Sequence, residues 1–238
     1  MNTGNLFLDS LPQEIRQRFA FQLSAVRLVK HAVLYRKGDA LDWIYFPLSA
    51  VISKFQTDDS GHAIEIAMTG REGVVGLTSA FDNGVAMNTC QVFIGGTVLR
   101  MRLEFIRKIL ECNPELNAAM MAHKSELLKQ MSRRVLCNRY HTVEQRLSTW
   151  MLLVAERTGR QSLSITHADG ARSLGVHRPT VTEAAILLAE RGVIEQSAGR
   201  IRILDAGRLG AMACECFPDF SIDRAAAVVV TEDGRTAA

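Results

Sequence analysis

The sequence predicts an α+β protein made of an N-terminal β-barrel or jelly-roll domain, a long helix, and a C-terminal winged helix-turn-helix. Three observations carry this. Over residues 26–102, short apolar or alternating runs are separated by turn residues such as Lys37-Gly38-Asp39, Asp58-Asp59-Ser60-Gly61 and Gly95-Gly96. From Leu103 the apolar spacing becomes helical, and after Asn113-Pro114 it runs unbroken to residue 141. The last third holds two short helical patterns split by Gly175, followed by two strand-like runs around Ser197-Ala198-Gly199.

In chain order, residues 9–22 predict a short amphipathic helix with Pro12 in its first turn and Ile15, Phe19 and Leu23 on one side. Strands follow at 32–34, 43–46, 51–56, 63–68, 91–94 and 97–101. A helix from Leu103 to about 111 leads into the long one. Along it, Leu116, Met120, His123, Leu127, Gln130, Arg134 and Cys137 recur in alternating steps of four and three. That spacing is a coiled-coil seam, and a symmetric pair of chains is its simplest partner. The organisation predicted is a β-domain with flanking helices over 1–112, a dimerisation helix over 113–141, a winged helix-turn-helix over 142–217 and a disordered tail over 218–238.

Composition narrows the classes. Hydrophobic residues are 47% and charged residues 22%, the balance of a globular protein. No apolar run reaches the roughly 18 residues of a membrane span, and Met1 to Ser10 lack the layout of a secretory signal. Five cysteines without a dense framework predict reduced thiols and a cytoplasmic setting. The net charge of +3 identifies no partner, but residues 124–146 carry six Lys/Arg against two Glu.

The C-terminal pattern points to double-stranded DNA. A helix-turn-helix projects the first turns of its second helix toward base edges in the major groove. Here Thr166 caps the first helix, Gly175 permits the turn, and Val181, Ala185, Leu187 and Leu188 are expected at the back of the second. His177, Arg178, Thr180, Thr182 and Glu183 then form the leading face, with Arg172 beside it and Arg200 and Arg202 on the wing. Arg pairs with guanine, Glu accepts from cytosine N4, and Thr touches a thymine methyl or a phosphate.

At this point the chain resembles a known family. The stretch ITHADGARSLGVHRPTVTEAAILLAERGVI (165–194) is similar to the helix-turn-helix of the Crp/Fnr regulators, and Tyr45-Phe46, Gly61, Gly70 and Gly76 resemble their cyclic-nucleotide-binding-like β-roll. The resemblance implies a sensory β-roll over 1–112, a homodimer on a two-fold symmetric DNA site, a small-molecule effector of unknown identity, and RNA polymerase as a further partner. It also places an effector pocket at Gly73, Val74, Val75, Gly76, Met87, Asn88, Met131 and Ser132. Arg178 matches a base-reading arginine of the family, whereas Pro179 and Glu183 stand where the family often has Glu and Arg.

The sensor half departs from the pattern. Gly73-Val74-Val75-Gly76 lacks the acidic residue of the cyclic-nucleotide signature, and 85–89 holds no arginine for a cyclic phosphate. Cyclic AMP is therefore not the expected effector. No cysteine precedes Cys90, which excludes an N-terminal iron–sulfur cluster. His62 and His123 read as surface or packing residues rather than haem ligands. No metal and no cofactor are expected, because Cys214 and Cys216, two apart on a helix expected to run through Cys214, face different sides. Catalysis is not expected either: Gly70 to Gly76 lacks the Gly-Lys-Ser/Thr ending of a phosphate loop.

Overall fold

The computed structural model describes residues 2–81 and 83–222, apart from the side chains of Ser79 and Ala80. The chain forms two compact units, one of residues up to Ser53 with Met68–Leu128, the other of Lys54–Ala67 with Lys129–Ser221.

The helix expected over 9–22 is two helices, α1 (Leu6–Ser10) and α2 (Gln13–Ala20), with Pro12 as the N-cap of α2. Proline starts a helix readily because its missing N–H is unneeded there, but it cannot continue one. Asn5, fully buried, caps α1 through Leu8 N–H (3.0 Å) and donates its side-chain amide to the carbonyls of Pro47 (2.9 Å) and Gly73 (3.1 Å).

The strands are β1 (Ser24–Leu28), β2 (Val33–Tyr35), β3 (Trp43–Pro47), β4 (Val51–Thr57), β5 (Ala63–Thr69), β6 (Thr89–Ile94) and β7 (Gly96–Arg102). They make a three-stranded sheet β1-β7-β3 and a four-stranded sheet β2-β6-β4-β5. All six expected strands are present. β1 escaped notice because it is exposed or only half-buried along its length and has little apolar contrast. Between β5 and β6 lies a short helix, α3 (Leu77–Ala80). The core of this unit joins Phe7, Ile15 and Phe19 to Ile44, Phe46, Ile52, Val98 and Met101.

α4 (Leu103–Cys112) and α5 (Pro114–Tyr140) follow. Here the expected seam needs correcting. Leu116 and Met120 have no exposed surface and belong to the β-roll core, and His123 accepts the Val74 N–H (3.3 Å). Leu127 and Gln130 are half-buried, and Arg134 is buried against Glu65 (3.3 Å). Each fully buried Leu or Met contributes about 1.5–3 kcal/mol to its own unit, so this row is already occupied. The exposed row is a different one: Ala118, Met121, Ser125, Leu128, Ser132 and Val135, also in alternating steps of three and four. Leu128 is 64% and Val135 72% exposed.

The second unit contains α6 (Val143–Thr158), β8 (Ser162–Leu163), α7 (His167–Leu174), α8 (Arg178–Glu190), β9 (Ile194–Ser197), β10 (Arg200–Ile203), α9 (Ala206–Met212) and α10 (Phe217–Phe220). α6 starts with a Thr142–Gln145 capping box and buries Leu147, Trp150 and Met151. The strands form a small sheet in the order β8-β10-β9.

Two expectations about the C-terminal segment change. α9 stops at Met212, so Cys214 and Cys216 share no helix. Residues 218–222 are placed, not disordered, because Phe220 is buried with Cys137, Leu153, Cys214 and Cys216, and its carbonyl accepts from buried Arg157 (3.0 Å). Residues 223–238 of the expected tail lie outside the described residues. Hydrogen bonding from Cys137, aided by Thr149, holds the Cys214 thiol below its ordinary value against the opposing effect of burial. The same bond, with burial, pushes Cys137 up. Among the described residues, no helix is long and apolar enough to cross a membrane.

Candidate nucleic-acid interface

Thr166 and Asp169 form a capping box that starts α7, and Gly175 ends it at φ +65°. Its left-handed backbone suits glycine, and a Cβ there would come 2.8 Å from Ile64 Cδ1. Val176 and His177 carry the chain across to α8, with Pro179 in the first turn. The back of α8 is Val181, Ala184, Ala185 and Leu188, all buried. Leu187, expected there, is 43% exposed.

His177, Arg178 and Glu183 are exposed on the leading face, and Thr180 is half-buried. The Arg178 guanidinium makes no hydrogen bond or ion pair among the described residues. It sits in the first turn of α8, where Pro179 has no N–H and the Thr180 N–H donates to the His177 carbonyl (3.1 Å). Arg178 and Arg200 line one groove of about 270 Å³ between the start of α8 and the β9–β10 wing, with His167 and Gln196 in its wall. Such a groove suits a phosphodiester oxygen or a base edge.

Other expected contacts are engaged within the protein. The Thr182 hydroxyl lies 3.1 Å from the Arg178 carbonyl and 2.9 Å from His167 Nδ1, so it locks the helix rather than facing outward. Arg202 pairs with Glu195 (2.8 Å) across the wing, where the two are register partners. Arg172 lies with its guanidinium 4.5 Å from the centre of the Phe55 ring. These three side chains are thus engaged within the protein in this structure.

The residue that sequence reading missed is His167. Gln196 donates its side-chain amide to the Ala185 carbonyl (2.9 Å), so its oxygen accepts from His167 Nε2–H (2.7 Å). One imidazole thus links the first turn of α7, α8 and the wing. These partners are 15 and 29 residues away, beyond any local periodicity. Behind them, buried Arg146 donates to the Leu174 carbonyl and to Asn138 (2.8 Å), closing the end of α7. Arg191 pairs with Glu144, tying the end of α8 to the start of α6.

At the other expected site, Gly73, Val74, Val75 and Gly76 are buried together, and Val75 pairs with Tyr45 as a β-bridge. A Cβ at Gly73 would fall 2.8 Å from His123 Cε1, so the space over this loop holds the chain's own side chain. Met87 is exposed and Asn88 half-buried; Met131 and Ser132 belong to the second unit.

Two family models match the chain. A Crp-like helix-turn-helix domain matches residues 145–212, and a cyclic nucleotide-binding domain matches residues 25–113. The transcriptional regulator SdrP of Thermus thermophilus is 24% identical over 200 residues, covering 78% of this chain and 95% of its own. The transcriptional activator protein FnrA of Stutzerimonas stutzeri is 22% identical over 193 residues, covering 78% of this chain and 79% of its own. Among solved structures, FixK2 from Bradyrhizobium japonicum superposes with a TM-score of 0.70 at 16% identity, over 81% of this chain and 98% of that one. The c-di-GMP-responsive global regulator CLP of Xanthomonas campestris gives 0.68 at 16% identity, over 82% and 100%. The structures establish the fold, and the family models and relatives add the function: this chain is a DNA-binding transcription regulator of the Crp/Fnr family.

Proposed function

We propose that the regulator works as a homodimer that sets two α8 helices in successive major grooves of a two-fold symmetric operator. Exposed Arg178, in the first turn of α8 and without a side-chain partner among the described residues, carries this reading. It pairs bidentately with guanine, while Arg200 and the N-terminal end of α8 hold flanking phosphates. Pro179 and Glu183 give a half-site different from that of relatives bearing Glu and Arg there. The dimer seam is the exposed row of α5, with Met121, Leu128 and Val135 as its apolar positions.

The chain acts by binding rather than by catalysis, in the cytoplasm, with RNA polymerase as its further partner. Its effector is a small molecule other than cyclic AMP, because the glycine loop of the β-roll is covered by His123 and residues 85–89 offer no arginine for a cyclic phosphate. A ligand acts here only through different affinities for DNA-competent and incompetent dimers.

Footprinting on the DNA upstream of the regulator's own gene tests this reading. A protected two-fold site is expected, with half-sites about one helical turn apart. Protection no better than on bulk competitor at physiological salt would overturn it.

A further inference from the structure

The fold gathers four metal-ligating side chains from distant parts of the sequence. Cys137, His141, Cys214 and Cys216 place their ligand atoms within 4.8 Å of one another. Cys137 and His141 are one helical turn apart at the end of α5, where the His141 N–H still donates to the Cys137 carbonyl (3.2 Å). Cys214 and Cys216 enter from the turn between α9 and α10, where both sulfurs reach the same point. All three thiols are buried, with 2%, 3% and 0% exposure.

The spacings are those of a tetrahedral site. Metal–sulfur bonds of about 2.3 Å put tetrahedral ligands about 3.8 Å apart. Cys137 Sγ and Cys214 Sγ are 3.7 Å apart, and Cys216 Sγ and His141 Nδ1 are 3.6 Å apart. Packed this closely, they suit one ion rather than an iron–sulfur cluster, whose ligands stand farther apart.

An outer layer is also built. His141 turns Nδ1 toward the thiols while its Nε2–H donates to Glu215 (3.0 Å), the carboxylate–histidine arrangement that orients a ligating imidazole. The Thr149 hydroxyl lies 3.1 Å from Cys214 Sγ, and Thr149 Oγ1 accepts the Cys214 N–H (3.2 Å). A divalent ion with three thiolates and a neutral imidazole carries one negative charge, and buried Arg134 and Arg146 supply positive charge nearby.

We propose that Cys137, His141, Cys214 and Cys216 form a closed, structural Cys3His site for a divalent cation of the zinc type. Three thiolates and an imidazole match zinc rather than calcium or magnesium, and four protein ligands leave no open position for chemistry. The ion ties the turn at 214–216 to the end of α5 and, through Thr149, to α6. This is independent of the operator reading.

Titrating fully reduced, metal-free, full-length protein with Co2+ tests the site. One equivalent is expected to bind with the intense visible bands of tetrahedral coordination and a thiolate charge-transfer band, and Zn2+ should bleach both. Zn2+ should raise the Tm by roughly 5–10 °C over the metal-free form, given saturation near 100 times the Kd. Cys216→Ser and His141→Ala should abolish the bands, His141→Cys should restore a tetrahedral spectrum, and Cys112→Ser should change nothing. Glu215→Gln should weaken binding about 10–100-fold while leaving the spectrum tetrahedral. Octahedral Co2+ spectra, or metal content unchanged in Cys216→Ser and His141→Ala, would overturn the proposal. So would a Cys137–Cys214 disulfide without metal in anaerobically purified protein. Because the wild-type titration decides alone, a misfolded variant does not rescue it.

Discussion

The start of α8 and the glycine loop at 73–76 are both expected binding sites, yet one is open and the other is filled. At α8, Arg178 and Arg200 flank a groove and Arg178 has no partner among the described residues. At the loop, His123 accepts the Val74 N–H and lies over Gly73. The same contrast runs along α5, where Leu116 and Met120 are spent on the core and Leu128 and Val135 are not. A surface available to a partner is thus marked by what the fold leaves unsatisfied, not by the residue type alone.

Substitutions at five places break or sharpen that contrast. Leu128→Glu should cause the largest effect. A homodimer seam loses the burial of two leucines, roughly 3–6 kcal/mol of association, read as dissociation to monomers in sedimentation. A Leu128→Glu protein that remains dimeric would move the seam elsewhere. Next, Arg134→Ala strands the fully buried Glu65 carboxylate without its cation, and urea unfolding should show a loss of about 3–5 kcal/mol. A much smaller loss would mean that water or another group satisfies Glu65.

Gly73→Ala should cost about 1–3 kcal/mol through clashes with His123 and Thr69, and His123→Ala should recover the His123 part of it in a thermodynamic cycle. Additivity of the two would show that the loop is not filled by this side chain. The smallest effects concern the wing. Arg178→Ala should weaken operator binding by about 1–3 kcal/mol and relax one base position, whereas exposed Arg202, already paired with Glu195, should cost less than about 1 kcal/mol. Equal losses on competition binding would erase the distinction between open and engaged arginines.

Much of the molecule was legible in one dimension. The strands at 43–46, 51–56 and 63–68, and the helix starting at His167, follow from local alternation, capping and turn residues, and the structure agrees to within a residue or two. The helix-turn-helix was equally plain, since Gly175 and the apolar back of α8 are local signals. Periodicity misled where two helical rows had similar spacing. On α5 the row containing Leu116 and the row containing Leu128 both fit a heptad, and only burial distinguishes them.

What the sequence by itself determined is the order of most elements, the DNA-binding motif and the absence of an arginine over 85–89, because each depends on near neighbours along the chain. The tertiary structure decided which arginines remain open, which face of α5 is free, and that His167 joins the recognition helix to the wing. It also decided that Cys137 and His141 meet Cys214 and Cys216, residues more than 70 positions away. Such juxtapositions arise only when burial folds remote segments onto one core, and so they leave no periodic trace in the sequence.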